Sequence, residues 1–568
     1  MVKNSWKKEI FALMQRFIRQ QRILYLALFC IAIMLLYVMR LGYLQLFRHN
    51  KLTMDAVRQR AQAVTLDYNR GIILDRNGIS LLDDKMEKVL VVFPTLLGKS
   101  GPEKVELISQ FVPQAALPGN PFIALHDVNS QEEELFKSLA RGLIVTEVQR
   151  RYGDGALATH VVGHIGQGDG EGKVGLELVF NSELKCDSPR MLAAVIDGKN
   201  NLVEGLGFRL WENRNPHRPY DISLTIDGRL QAKVESIMDN TIARGAVVVM
   251  DPHNGDILAM ASRPNYFQSQ LSRYLSDGNE YTNYLSSQPF INRSILSYPP
   301  GSVFKIVVAA AALDSGIVRL GTRFFCPGYI EIGDKLFKCQ DGSHGEITLA
   351  EAFAHSCNTV FIDLAIRLGK DAIYNYATAL GLGEETGIPL GSPEEGGEMM
   401  GIIPTPREMP FLGDLALAAI GQGRVETTPL QIARLTSVIA NGGYLVEPRL
   451  VKSIQSRQGL QISLFTTSKK KVLNSLTASK IRFMMLGTVE YGTGELAFSE
   501  KIVLGGKTGT AETGRFMNEK PLNYSWFTGI IPLENSRAVV TVFVEEALHG
   551  NASAVFGQIA EAIYPLLY

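Results

Sequence analysis

YPPGSVFKIVVAAAALDSG, residues Tyr298 to Gly316, holds one charged side chain in its apolar middle, Lys305. Pro299, Pro300 and Gly301 break whatever precedes it. The run from Val303 to Leu313 predicts a helix, with Gly316 as its stop. A helix apolar on every side belongs in the core of a large domain. An unpaired lysine there is costly to bury and tends to lose its proton. One reading is a lysine that snorkels to the surface. The other is an amine kept for chemistry. Ser302 lies three residues earlier on the same helical face, and serine beside an amine is a nucleophile–base arrangement.

Working outward, the chain of 568 residues is long enough for more than one domain. Its 57 Lys and Arg balance 57 Asp and Glu, so no basic field points to nucleic acid. Ile23 to Met39, ILYLALFCIAIMLLYVM, carries no charge. As a helix it spans about 26 Å, close to a bilayer core of about 30 Å. Lys3, Lys7, Lys8, Arg16, Arg19 and Arg22 precede it. The positive-inside rule then keeps the N-terminus cytoplasmic and sends the remainder across, in a single pass. The small-residue pattern of a cleaved signal peptide is missing after Met39, which favours a retained anchor. The expected organisation is a basic tail at 1–22, an anchor at 23–44, a mixed region at 45–218, and a larger domain at 219–568.

In the mixed region, NRGIILDRNGISLL (Asn69 to Leu82) predicts a strand, an Asn-Gly turn and a second strand. ATHVVGHIGQGDGEGKVGLE (Ala158 to Glu177) predicts loops between short strands. Arg214 to Asp221 is a polar, Pro-containing linker. Beyond it, GAVVVMDPHNGDILAMAS (Gly245 to Ser262) is two β-rich runs around a turn. Helical stretches follow, among them LAEAFAHSCNTVFIDLAIRLG and TPLQIARLTSVIANGG, then strands at KIVLGGKTGTAE, WFTGIIPL and AVVTVFVEEA, and a closing helix. That order predicts an α+β fold, helices packed on a mainly antiparallel sheet.

Ser302-Val303-Phe304-Lys305 is weak alone, because the same spacing recurs at Ser5, Ser182 and Ser468. It is followed by Ser356-Cys357-Asn358 and by Lys507-Thr508-Gly509-Thr510. S-x-x-K, S-x-N and K-T-G in that order, widely spaced, resemble the penicillin-binding transpeptidase and serine β-lactamase superfamily. NRSILSYPPGSVFK, HGEITLAEAFAHSCNTVF and AAIGQGRVETTPLQIARL are similar to class B penicillin-binding proteins, and the Asn69–Leu82 and Ala158–Glu177 stretches to their pedestal.

The resemblance implies a membrane-anchored D,D-transpeptidase that cross-links peptidoglycan stem peptides ending in D-Ala–D-Ala and is acylated by β-lactams. It implies Ser302 as nucleophile, with its N–H and that of Thr510 as oxyanion hole. Lys305 is then the general base. An exposed lysine of pKa about 10.4 would need about 4.6 kcal/mol to be neutral at pH 7. Apolar packing and a second cation, Lys507, would both lower that cost. Ser356 relays a proton to the leaving amine, and Asn358 binds substrate and Lys305. Lys507 holds a carboxylate, helped by Thr508 and Thr510, while Gly509 lets the substrate lie along the strand. A polytopic glycan-strand polymerase is the implied partner, and catalysis needs no cofactor. The rivals are a membrane-anchored β-lactam sensor without turnover, and a β-lactamase or D,D-carboxypeptidase, for which no motif supplies the hydrolytic water.

Cys326, Cys339, His344 and Cys357 lie between the first two motifs. Three thiols and an imidazole suit tetrahedral zinc. A Cys326–Cys339 disulfide with Cys357 a buried thiol is the other reading, since the region lies where disulfides are allowed.

Overall fold

A computed structural model describes residues 3–46, 61–97, 120–166, 169–186, 189–203, 205–211, 219–271, 287–391, 396–456, 460–517, 520–545 and 551–568. The chain divides into two compact units. One comprises Met1–Asp67, Glu87–Val148 and Arg190–Asn213; the other comprises Tyr68–Met86, Gln149–Pro189 and Arg214–Tyr568. A boundary near residue 218 follows chain order, whereas these units interleave, with 68–86 and 149–189 joining the C-terminal one. Most of the linker expected over 214–221 lies outside the described residues.

The C-terminal unit is built on a five-stranded antiparallel sheet. Its strands are β1 (Gly245–Met250), β2 (Ile257–Arg263), β3 (Gly505–Met517), β4 (Lys520–Ile531) and β5 (Ala538–Val544), in spatial order β2-β1-β5-β4-β3. Strands β1, β2 and β5 are buried at every residue because helices cover both faces. Successive side chains point to opposite faces. Val247, Val249, Val540 and Val542 pack with Leu230, Val234, Phe556 and Ile559 of the helices Gly228–Thr241 and Ala552–Ile563. Val248, Met250, Val539 and Phe543 belong to the opposite cluster with Ile306, Leu430 and Leu435. The helix Pro429–Ala440 starts on a capping box, with Thr428 bonded to the Gln431 N–H and Pro429 in its first turn. β2 and β3 are the edge strands, and among the described residues β3 pairs with β4 alone.

Two expectations need correction. The Asn69–Leu82 hairpin shrinks to the two-residue strand Ile73–Leu74 and one bridge, Leu74 to Ser80. Ladder bonds remain from Asp75 N–H to Ile79 O at 2.7 Å and from Leu81 N–H to Ile73 O at 3.0 Å, and the Asp75 carboxylate, which accepts from Asn77 N, Ile79 N and Gly228 N, braces the turn. LAEAFAHSCNTVFIDLAIRLG is not one helix but two, Leu349–Ala354 and Asn358–Leu368, broken at 355–357.

The other unit carries two small sheets, one of Ala61–Asp67, Arg190–Val195 and Phe208–Trp211, the other of Phe122–Leu125, Lys85–Val92 and Leu143–Arg150. Along Val89 to Phe93 alternate residues serve two cores: Val89, Val91 and Phe93 pack with Leu66 and Leu192, while Leu90 and Val92 pack with Phe136 and Leu143. The N-terminal helix Lys3–Leu46 contains an apolar stretch, Gln21–Gln45, long enough to cross a membrane, with mean hydropathy 2.3.

Candidate active site

The Ser302 turn is shaped by three backbones that meet at glycine. Gly301–Phe304 is a 3-10 turn that leads into the helix Lys305–Asp314, so the helix begins two residues later than Val303. Gly301 has φ +56°, in the left-handed region that favours glycine. A Cβ there would meet Thr510 O at 2.3 Å. Gly301 N–H donates to Gly421 O at 3.0 Å, and a Cβ on Gly421 would meet Gly301 O at 2.1 Å. On β3, a Cβ at Gly509 would meet Pro300 O at 2.6 Å. Trp526 Nε1 donates to Pro299 O at 3.0 Å. The K-T-G strand therefore lies directly against the turn that carries Ser302.

Lys305 is completely buried. Its Nζ donates to Ser356 O at 2.6 Å and to Asn358 Oδ1 at 2.6 Å, with Ser356 Oγ at 3.2 Å. Burial pushes its pKa down to about 7, with Cys357 and Cys339 pulling the other way. A neutral amine has two N–H bonds and one lone pair. Ser356 O and Asn358 Oδ1 take the two N–H bonds, so the lone pair is left to accept from a hydroxyl, and Ser356 Oγ lies within reach at 3.2 Å. Asn358 is oriented in turn by its Nδ2, which donates to Lys338 O at 2.8 Å. Among the described residues no hydrogen bond joins the Ser302 hydroxyl to Lys305; in this resting arrangement the amine is held by Ser356 and Asn358.

The break at 355–357 places the second motif. Ser356 has φ +53°, a conformation that costs a non-glycine residue about 1–2 kcal/mol. It turns the chain so that Ser356 O, Ser356 Oγ and Asn358 Oδ1 converge on one amine. Strain of this size persists where surrounding contacts enforce it, often at functional sites.

Lys507 is also completely buried. Its Nζ donates to Thr508 O at 3.1 Å and lies 5.6 Å from the centre of the Phe353 ring. Burial, then the charge of Lys305, holds its pKa well below the lysine range. Lys507, Thr508, Gly509 and Thr510 pair with Thr528, Phe527, Trp526 and Ser525 of β4.

Cys326, Cys339, His344 and Cys357 converge, their ligand atoms all within 4.8 Å of one another. Cys326 Sγ to Cys339 Sγ is 3.7 Å, Cys339 Sγ to Cys357 Sγ 3.8 Å, and Cys326 Sγ to His344 Nδ1 3.3 Å. The thiols are free. Bonds of about 2.3 Å to a tetrahedral zinc would set sulfurs about 3.8 Å apart, so the donor set fits that ion.

Sequence reasoning missed Gly421 and Trp526. The Gly-Gln-Gly step at 421–423 signals a turn, but its approach to Gly301 exists only in the fold. His160 is buried with its ring nitrogen 2.7 Å from Pro289 O, and burial pushes its pKa down to about 4.

Residues 245–565 match the penicillin binding protein transpeptidase domain. Stage V sporulation protein D of Bacillus subtilis (strain 168) is 30% identical over 93% of this chain and 82% of its own length. The peptidoglycan D,D-transpeptidase MrdA of Acinetobacter baumannii is 27% identical over 92% of this chain and 84% of its own. Among solved structures, a chain from a study of how a peptidoglycan synthase complex coordinates polymerization and crosslinking is 26% identical, with TM-score 0.68, over 96% of this chain and 98% of that one. The D,D-transpeptidase domain of a peptidoglycan glycosyltransferase from Eggerthella lenta is 25% identical, with TM-score 0.63, over 88% of this chain and 98% of that one.

Proposed function

This chain belongs to the penicillin-binding protein transpeptidase family, and on that premise we propose how its residues carry the reaction. It is a class B penicillin-binding protein, a serine D,D-transpeptidase that cross-links peptidoglycan stem peptides and is acylated by penicillins. Ser302 Oγ attacks the carbonyl of the D-Ala–D-Ala bond while the lone pair of Lys305 takes its proton. The N–H groups of Ser302 and Thr510 receive the oxyanion. As the C–N bond breaks, Ser356 passes a proton from Lys305 to the departing D-Ala amine. An amine from a neighbouring peptide then attacks the Ser302 ester, and the hydroxyl is regenerated.

The single observation that carries this reading is the fully buried Lys305 amine, held by Ser356 and Asn358 beside the Ser302 turn. The Ser302 hydroxyl comes within reach by rotating about χ1 once a substrate is bound; catalytic hydrogen bonds commonly tighten only in the complex. Gly509 and the free edge of β3 suit a peptide that adds as a further strand. Lys507 is the carboxylate anchor. Its buried amine regains a proton when an anion arrives, because an opposite charge nearby favours the charged form.

Cys326, Cys339, His344 and Cys357 would hold a structural zinc ion, which supplies no step of the reaction. It would fix the loop that carries Lys338 O and the start of the Asn358 helix. Zinc per purified chain measures this: one equivalent is expected, and metal-free protein would reject it.

The Gln21–Gln45 stretch is the anchor, with the N-terminus cytoplasmic and the catalytic unit outside. Residues 45–218 form the pedestal and 219–568 the transpeptidase domain, with 68–86 and 149–189 lending their packing to the catalytic unit. The likeness to a chain from a polymerizing and crosslinking complex supports a membrane-embedded glycan-strand polymerase as partner.

Fluorescent-penicillin labelling tests the chemistry. Wild type labels, Ser302→Ala does not, and Lys305→Arg labels slowly. A Ser302→Ala variant that still labels, or Lys305→Arg at the wild-type rate, would reject these assignments.

A further inference from the structure

Thr493 lies outside the three motifs, in the turn after the helix Ser475–Glu490. Its Oγ1 is 2.5 Å from Thr508 Oγ1. Its backbone N–H donates to Ala354 O at 3.1 Å, and its hydroxyl is 3.4 Å from the same carbonyl. The neighbouring Gly492 is pressed onto Ala354, where a Cβ would meet Ala354 O at 2.4 Å. One short turn thus ties the chain just before Ser356 to the K-T-G strand.

The hydrogens on the two hydroxyls decide what this contact does. Each threonine has one hydrogen to donate and two lone pairs. Ala354 O is a long acceptor for the Thr493 hydroxyl and already accepts the Thr493 N–H. The contact with Thr508 is much the shorter of the two, 2.5 Å against 3.4 Å, and Thr493 is taken as its donor. Thr508 Oγ1 also lies 3.5 Å from Lys507 Nζ, which can only donate to it while charged. With its lone pairs engaged, the Thr508 hydroxyl keeps its own hydrogen for the cleft.

We propose that Thr493 is a positioning residue: its hydroxyl donates to Thr508 and so aims the Thr508 hydrogen at the carboxylate of a stem peptide or β-lactam. This rests on the reading of the Lys507 strand as the carboxylate site. Thr493 need not touch the ligand. Its contribution is selectivity for an anionic group, which a purely structural role would not give.

The test uses the full-length protein in detergent and the second-order acylation rate, read by intact mass, with benzylpenicillin and with its methyl ester. Thr493→Val keeps the shape and the backbone N–H but loses the hydroxyl. It is expected to slow acylation by the free acid about tenfold and by the ester less than about twofold, the size of a lost charge-assisted hydrogen bond. Thr493→Ser is expected to stay within about twofold of wild type on both compounds. No loss in Thr493→Val, an equal loss on both compounds, or failure of Thr493→Ser to restore the rate would overturn the proposal. Ser302→Ala separates the two levels. If it still acylates, the active-site reading falls and this proposal with it. If acylation depends on Ser302 but ignores Thr493, this proposal alone falls.

Discussion

Lys305 and Lys507 are both fully buried, yet their surroundings ask different things of them. Lys305 faces Ser356 O, Ser356 Oγ and Asn358 Oδ1, and its pKa comes down to about 7. Among the described residues Lys507 hydrogen-bonds only to Thr508, and burial, then the charge of Lys305, holds its pKa well below the lysine range. Burial strips charge from both. Cys357 and Cys339 pull Lys305 part of the way back up, and Ser356 and Asn358 hold its amine in place. On the proposed reading an anion completes Lys507. The same residue type would then be a proton carrier in one place and a receptor in the other.

The largest effect should come from breaking the first half of this comparison. Lys305→Met is expected to slow acylation about 10³-fold, within the range for a lost general base. Stopped-flow quenching with a fluorescent penicillin would check it, and a loss under tenfold would place the base elsewhere. Next comes the turn that presents Ser302. Gly421→Ala puts a Cβ 2.1 Å from Gly301 O at a φ of +67°. It is expected to cost about 2–3 kcal/mol, seen as a lower thermal midpoint together with slower labelling. A variant as stable as wild type would show that the close approach relaxes freely. The second half of the comparison is sharpened by Lys507→Met, expected to slow acylation by a carboxylate-bearing penicillin about tenfold and by its ester much less. Equal losses would mean that Lys507 acts on Lys305 and not on the anion. The smallest effect has the opposite sign. Ser356→Gly relieves the left-handed backbone and is expected to stabilise the fold by up to about 1 kcal/mol while slowing turnover. A lower thermal midpoint would show that the Ser356 side chain holds the turn.

Much of this was legible before any coordinates. A lone lysine in an apolar helix, three residues after a serine, is weak alone, and it pointed to a site only together with the Ser-x-Asn and Lys-Thr-Gly motifs that follow in order. The strands Gly245–Met250 and Ile257–Arg263 read directly from their β-branched runs around an Asp-Pro-His-Asn-Gly turn. The α+β order of strands and helices followed from the same patterning. Other features arise from contacts that no local pattern encodes. Ala354 to Cys357 holds no glycine, yet the helix ends there in a turn closed by Ser356 N–H to Phe353 O and Cys357 N–H to Ala352 O, with Ser356 at φ +53°. Gly301 and Gly421 each look like ordinary breakers, although the reason for each is the other's backbone. The Asn77-Gly78 turn was visible, but the reach of Asp75 to Gly228 N, which braces that turn, joins residues 153 positions apart. A direct Ser302–Lys305 hydrogen bond was expected from their spacing. The start of the helix as a 3-10 turn and the competing oxygens of Ser356 and Asn358 explain its absence from the resting arrangement.

The central claim is that Ser302 is made reactive by an uncharged Lys305, and the pH dependence of the wild-type acylation rate tests it most directly. A base works only when unprotonated, and Lys305 is protonated below its pKa of about 7. The rate should fall about tenfold for each pH unit below that value and level off above it. A rate flat from about pH 5 to 9, or still climbing toward the ordinary lysine range near about 10.4, would contradict the account.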